Sequence, residues 1–110
     1  MATHHAHPGE IVDLETWAQD LPYEHSKAII KTEELELVRL VIPAFKEIPN
    51  HKVSGPIVVH CLYGELIITA MNKNTRLSTG QLMYLKPGEP HTLKSVSDSI
   101  VLLSIIFKKR

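Results

Sequence analysis

The stretch that decides the fold is GQLMYLKPGEPH, residues 80–91. A glycine, a short apolar run and a proline-glycine turn lead to His91, so one strand ends in a tight turn that places a histidine at the start of the next. An earlier stretch, IPNHKVSGPIVVHCLYGEL, residues 48–66, has His51 ahead of an apolar run that ends at Gly64. Two glycine-bounded hairpins therefore each bring one histidine to the end of a strand.

Short apolar runs rich in β-branched residues, separated by Pro, Gly, Asn and Ser, continue this pattern from residue 27 onward. Short apolar runs separated by turn-forming residues predict strands rather than helices. The chain lacks the strand-then-helix alternation that parallel sheets need, which excludes the parallel α/β folds. The predicted strands are Ala28–Lys31, Glu34–Ile42, Ile57–Tyr63, Glu65–Met71, Gln81–Leu85, His91–Val96 and Ile100–Phe107.

The N-terminal part carries weaker signals. Residues 1–8 have little to bury and are predicted to form a flexible tail, with one domain over residues 9–110. The tail histidines, His4, His5 and His7, are a weak metal-binding set that would have to be ordered first. Residues 13–20 are compatible with one or two helical turns capped by Asp13.

The composition indicates which binding partners and which cellular compartment to expect. The 110 residues include twelve basic and twelve acidic side chains, so no net field draws the chain to nucleic acid or to an anionic membrane. A single cysteine excludes an intramolecular disulfide framework and any zinc site with several thiolates. With no secretory signal or long apolar run in the sequence, a cytoplasmic protein is expected.

The two histidine motifs resemble those of a small single-domain cupin of the RmlC-like, cupin-2 type, from about Leu35 to Phe107. Gly80, the turn at residues 87–88 and the final His91 follow the family spacing most closely. The resemblance implies an all-β fold, a cupin-type double-stranded β-helix or jelly-roll barrel with a short N-terminal extension. It also implies that the two motifs converge on a metal or ligand pocket.

The first motif departs from the family pattern of His-x-His, an acidic or amide residue, six further residues and a glycine. Counting back from Gly64 puts Ile57 at the acidic position, Val53 at the second histidine and His51 at the first. The resemblance therefore leaves His51 and His91 as ligands for a divalent transition metal such as Zn, Fe, Ni or Mn. His60 or Cys61 would have to complete a three-ligand shell.

Strand parity bears on these candidates. If Ile57 faces inward, Val59 and Cys61 also face inward, whereas His60 faces the other side of the sheet unless a bulge intervenes. The predicted ligand-binding residues are His51, His91, Tyr84, Val59 and Cys61, and the predicted metal ligands are His51, His91 and His60. An apolar Ile57–Val59 run predicts a greasy pocket for a small, largely apolar molecule.

Three functions remain open at this point, of which the least specific is an interaction module whose pocket is vestigial. Of the other two, one is a small-molecule-binding barrel, with or without a metal ion at His51 and His91. The other is a metal-dependent cupin enzyme of the oxygenase or isomerase type that also uses His60 or Cys61. A homodimer is expected in each case, because the apolar runs Leu35–Ile42 and Ile100–Phe107 look too hydrophobic for solvated edge strands.

Overall fold

A computed structural model describes residues 5–14, 26–51 and 54–107, with the main chain alone for Lys27, Asn50 and His51. The predicted helical turns at residues 13–20 fall mainly outside this part of the chain. The described part contains nine strands: β1 (Lys27–Lys31), β2 (Leu35–Ile42), β3 (Glu47–His51), β4 (Ile57–Tyr63), β5 (Glu65–Ala70), β6 (Lys73–Ser78), β7 (Leu82–Leu85), β8 (His91–Ser95) and β9 (Ser99–Ile106).

The strands form two antiparallel sheets. The five-stranded sheet has the order β1-β2-β9-β4-β7, and the four-stranded sheet has the order β3-β8-β5-β6. Hydrogen bonding does not run continuously around the interior, so the molecule is a two-sheet β-sandwich rather than a barrel closed by its backbone. The predicted all-β fold is confirmed, with two antiparallel sheets in place of a closed barrel.

The core lies between the sheets, where alternate residues of each strand meet. Along β4 the odd-numbered residues from Ile57 to Cys61 are buried in the core, and the even-numbered residues face the outside. The core cluster consists of Ile42, Ile57, Val59, Cys61, Leu66, Ile68, Ala70, Leu77, Leu85, Leu93, Val101, Leu103 and Ile105.

The positions of the two most apolar strands correct one expectation. β2 lies between β1 and β9, and β9 lies between β2 and β4, so neither is an edge. β9 is apolar on both faces because both faces are covered, and its residues 99–103 are all buried. The edges of this sheet are β1 and the short β7.

Two strands, β3 and β6, were not predicted from the sequence pattern. β3 contains Pro49, and β6 reads KNTRLS, so both lack the apolar alternation that marks a strand. Both are edge strands of the four-stranded sheet, where proline and polar side chains are tolerated. The turn before β6 uses Met71 and Asn72, both at positive φ (53° and 61°), as a tight hairpin requires.

A main-chain hydrogen bond joins the N-terminal segment to β1. The Ala6 N–H donates a hydrogen bond to the Ile29 carbonyl oxygen (2.7 Å). The flexible tail over residues 1–8 stays a prediction. Within the described residues, no helix has the length and apolar character needed to cross a membrane.

Candidate functional site

The two motif histidines meet across the β3–β8 ladder. The register of this antiparallel pair places His51 directly opposite His91, after a shift in register beyond Ile48. Cα atoms of directly opposite residues in such a ladder are about 4.5–5.5 Å apart. The fold thus brings together two positions that are forty residues apart in the sequence.

His91 is held in a defined environment at the start of β8. Its side chain is 3% exposed, and Nδ1 lies 3.1 Å from the Glu89 carbonyl oxygen. A carbonyl oxygen only accepts, so Nδ1 carries the hydrogen and donates it. In the neutral ring the lone pair then resides on Nε2, which is the arrangement typical of metal-binding histidines whose other nitrogen is anchored.

Glu89 has a role at this site that the histidine motif did not predict. Its carbonyl orients His91, and its carboxylate Oε2 accepts a hydrogen bond from the Met71 N–H (3.2 Å). The β7–β8 loop is thereby tied to the β5–β6 turn. A cleft of about 330 Å³ opens between these two loops and is lined by Thr69, Ala70, Met71, Asn72, Glu89, Pro90 and Thr92. The position of Glu89 two residues before the motif histidine was the only sequence signal for this role.

His60 and Tyr84 lie on the outer face of the five-stranded sheet. His60 pairs with Leu82 and Leu102 in the ladder, and it alternates with the buried Val59 and Cys61. No bulge within β4 reverses this parity before Cys61, because the register shift to β9 comes between Cys61 and Tyr63. His60 therefore does not share a face with the interior.

Tyr84 requires a correction, because it was expected on the wall of the same pocket. Its side chain is 60% exposed, while Leu85 beside it belongs to the core and Met83 packs against that core. Tyr84 faces outward, and its neighbour across the ladder is the outward-facing Val58. It does not line a cavity with His91.

Val59 and Cys61 face inward, as parity predicts, and both are fully buried. Cys61, however, lies at the other end of the sandwich from His91. Cys61 Sγ lies 3.6 Å from the Tyr63 carbonyl oxygen and 3.5 Å from that of Gly64, at the beginning of β5. His91 instead precedes Thr92, which pairs with Thr69 near the other end of β5. The run from Glu65 to Thr69 spans about 13 Å at 3.3 Å per residue. Cys61 therefore does not complete a shell at His91.

The environment of the Cys61 thiol favours its neutral form. Burial raises its pKa above the ordinary value, an effect partly offset by a main-chain hydrogen bond with Tyr63 and reinforced by the charge of Glu65. The thiol is therefore less reactive than an exposed one. Among the described side chains, no group of three His, Cys, Asp or Glu is placed to hold a metal ion. Among the described residues, the fold offers an ion His91 and the histidine position opposite it.

Comparisons with known proteins define the fold family. No protein-family model matches the chain, and no curated protein matches it. Solved structures do match. A conserved protein of unknown function from Streptococcus pyogenes has a TM-score of 0.80 at 22% identity, over 97% of this chain and 95% of that one.

Two further matches are cupins. A cupin superfamily protein from Desulfitobacterium hafniense gives a TM-score of 0.77 at 13% identity, over 83% of this chain and 87% of that one. An RmlC-like cupin from Desulfovibrio desulfuricans gives 0.68 at 19% identity, over 96% of each chain. The fold is therefore that of the RmlC-like cupins. The chain is a small cupin-fold domain.

Proposed function

We propose that this cupin-fold domain binds a small, largely apolar molecule in the sandwich interior next to His91, anchored by a divalent transition metal at His51 and His91. The observation that carries the proposal is the register of β3 and β8, which sets the two histidines directly opposite each other. Opposite residues of an antiparallel pair are close enough for both imidazoles to reach one ion at about 2 Å per bond. The Glu89 carbonyl contact supports the same role, because it fixes the orientation of the His91 ring through Nδ1.

The surroundings favour an apolar ligand. Ile57, where the family has an acidic ligand, is buried in the core, and Leu93 follows His91 on the inner face of β8. Aliphatic neighbours with a few polar anchors suit a small molecule whose apolar part is buried. Water or a donor atom of the ligand would fill the remaining coordination positions of the ion.

A three-ligand enzyme centre has less support. His60 lies on the outer face of the sheet, and Cys61 lies near the Gly64 turn. Neither residue reaches His91. The binding function is therefore the one that the residues support best.

The test is metal binding measured by calorimetry and elemental analysis, on protein whose tail histidines, His4, His5 and His7, are replaced by alanine in every sample. About one zinc or nickel ion per chain is expected for the parent. His51→Ala and His91→Ala should each weaken binding by about 100-fold or more, and the control His60→Ala should leave it unchanged.

Two outcomes would contradict the proposal. If the parent binds none of the four metals zinc, nickel, manganese and iron, the proposed metal site at His51 and His91 is wrong. Equal loss in all three histidine variants would mean that His60 belongs to the site. Native mass spectrometry of the freshly purified parent then reports any organic molecule that copurifies, and its loss from His91→Ala would support the ligand pocket independently of the metal.

A further inference from the structure

Glu89 is the residue at which three parts of the structure meet. Its N–H donates to the Lys86 carbonyl oxygen (3.2 Å), which closes the turn of the β7–β8 loop. Its carbonyl oxygen accepts from His91 Nδ1, and its carboxylate Oε2 accepts from the Met71 N–H of the β5–β6 turn. One residue therefore links its own loop, the motif histidine and a turn of the neighbouring hairpin.

Gly88, which precedes Glu89, leaves the direction of the loop weakly determined. Its φ is +79°, and a Cβ placed on it would meet nothing within 4 Å. Glycine adopts many backbone conformations at little steric cost, and open space surrounds the position that a side chain would take. The path of the chain after Gly88 therefore depends more on hydrogen bonds than on packing.

The segment from Glu89 to His91 is stiff by contrast. The ring of Pro90 fixes its φ, and a residue that precedes proline is restricted to extended conformations. His91 then enters the β8 ladder opposite His51. A displacement of Glu89 is therefore transmitted to its carbonyl oxygen and to the imidazole bonded to that oxygen.

The Met71 N–H anchors Glu89 from outside its own loop. The β5–β6 hairpin is closed by the Ala70–Lys73 pair, and Met71 and Asn72 both have positive φ. In a two-residue turn of this kind the closing bonds join the flanking residues, so the Met71 N–H points out of the hairpin. The Glu89 carboxylate accepts from this donor, and hydrogen bonds from main-chain N–H groups to carboxylates are stronger than those between neutral groups.

We infer that the Glu89 side chain is a positioning group for the proposed metal site. By holding the Met71 N–H, the carboxylate fixes the loop after Gly88. The Glu89 carbonyl oxygen then keeps the proton of His91 on Nδ1 and holds the ring in one orientation. Removal of a group that orients a metal-binding histidine commonly lowers metal affinity by about 10- to 100-fold. The inference rests on the proposed metal at His51 and His91, but the state of the His91 ring can be measured without any metal.

The first experiment separates the reach of the Glu89 side chain from its charge. Zinc affinity is measured by calorimetry on the full chain without its tail histidines. Glu89→Ala and Glu89→Asp should each bind zinc about tenfold more weakly, the first because the acceptor is gone and the second because its carboxylate is one methylene short. Glu89→Gln should recover most of the affinity, because its amide oxygen still accepts from the Met71 N–H. The matched control Glu33→Ala removes an exposed glutamate of the β1–β2 turn and should bind like the parent.

The second experiment observes the histidine directly in metal-free protein. At about pH 8, where an ordinary imidazole is neutral, proton–nitrogen NMR distinguishes a ring protonated at Nδ1 from one protonated at Nε2. The His91 ring should carry its proton on Nδ1 in the parent and in Glu89→Gln, whereas Glu89→Ala should show both tautomers. Urea unfolding establishes that each variant is folded, and Glu89→Asp replaces Glu89→Ala if the alanine variant is not.

Two results would overturn the inference. Equal loss of zinc affinity in Glu89→Gln and Glu89→Ala would mean that the charge of Glu89 acts on the ion and that its hydrogen bond does not matter. A single Nδ1 tautomer of His91 in Glu89→Ala would mean that the ring is held without the side chain. If the parent binds no zinc, the metal proposal loses its support, and the tautomer of His91 in Glu89→Ala decides by itself whether Glu89 positions the ring.

Discussion

At the scale of single residues, Gly64 is the position that the fold constrains most tightly. Its φ is +97°, and a Cβ there would lie 2.8 Å from Ser99 Cα and closer still to the Asp98 carbonyl oxygen. Gly88 also has positive φ (+79°), but a Cβ there meets nothing within 4 Å. Gly64→Ala should therefore cost about 3 kcal/mol or more in urea unfolding, and Gly88→Ala about 1 kcal/mol. Equal costs would show that the close approach at Gly64 is readily relieved.

Cys61 gives a second prediction at this scale, from its raised pKa. The folded state holds the thiol proton more tightly than the unfolded state does. The stabilisation is therefore complete below the unfolded pKa and is lost as pH rises through the folded pKa. Urea unfolding from about pH 7 to about pH 10 should show a steeper loss for the parent than for Cys61→Ala, whose other titrating groups are the same. Identical slopes would contradict the burial effect.

At the scale of elements, the β5–β6 hairpin carries a side chain that suits its turn poorly. Met71 has φ of +53° and is followed by Asn72 at +61°, the geometry of a two-residue turn that prefers asparagine at the first position. Met71→Asn should raise the free energy of unfolding by about 0.5–1 kcal/mol. Met71→Ser is the control, because it removes the same exposed side chain without asparagine's tolerance of positive φ. If the melting temperature of Met71→Asn is no higher than that of Met71→Ser, the turn is not strained at Met71.

At the scale of the whole molecule, the apolar core between the sheets is complete without any ion. Removing a bound metal should therefore leave the domain folded. Chelation is expected to leave the far-ultraviolet circular dichroism unchanged and to lower the melting temperature by several degrees, since ligand at 100 times its dissociation constant stabilises by about 2.7 kcal/mol. Unfolding on chelation would mean that the metal is structural.

Strands whose side chains carry a strong local pattern could be predicted from the sequence. The β-branched runs predicted β2, β4, β8 and β9 to within about two residues, and strand parity separated the inward Val59 and Cys61 from the outward His60. The glycine and proline turns also gave the motif spacing that indicated the cupin fold. These features depend on neighbours along the chain, which the sequence contains.

Features that depend on which strands become neighbours could not be predicted from the sequence. β3 and β6 are strands because β8 and β5 supply their hydrogen bonds, although their own side chains are polar or include proline. Tyr84 faces outward because β7 pairs with β4 in the register that sets it beside Val58, and Cys61 lies far from His91 because β4 runs toward the Gly64 turn. The pairing of His51 with His91 arises in the same way. Register between distant strands is set by burial in the assembled sandwich, and no local pattern encodes it.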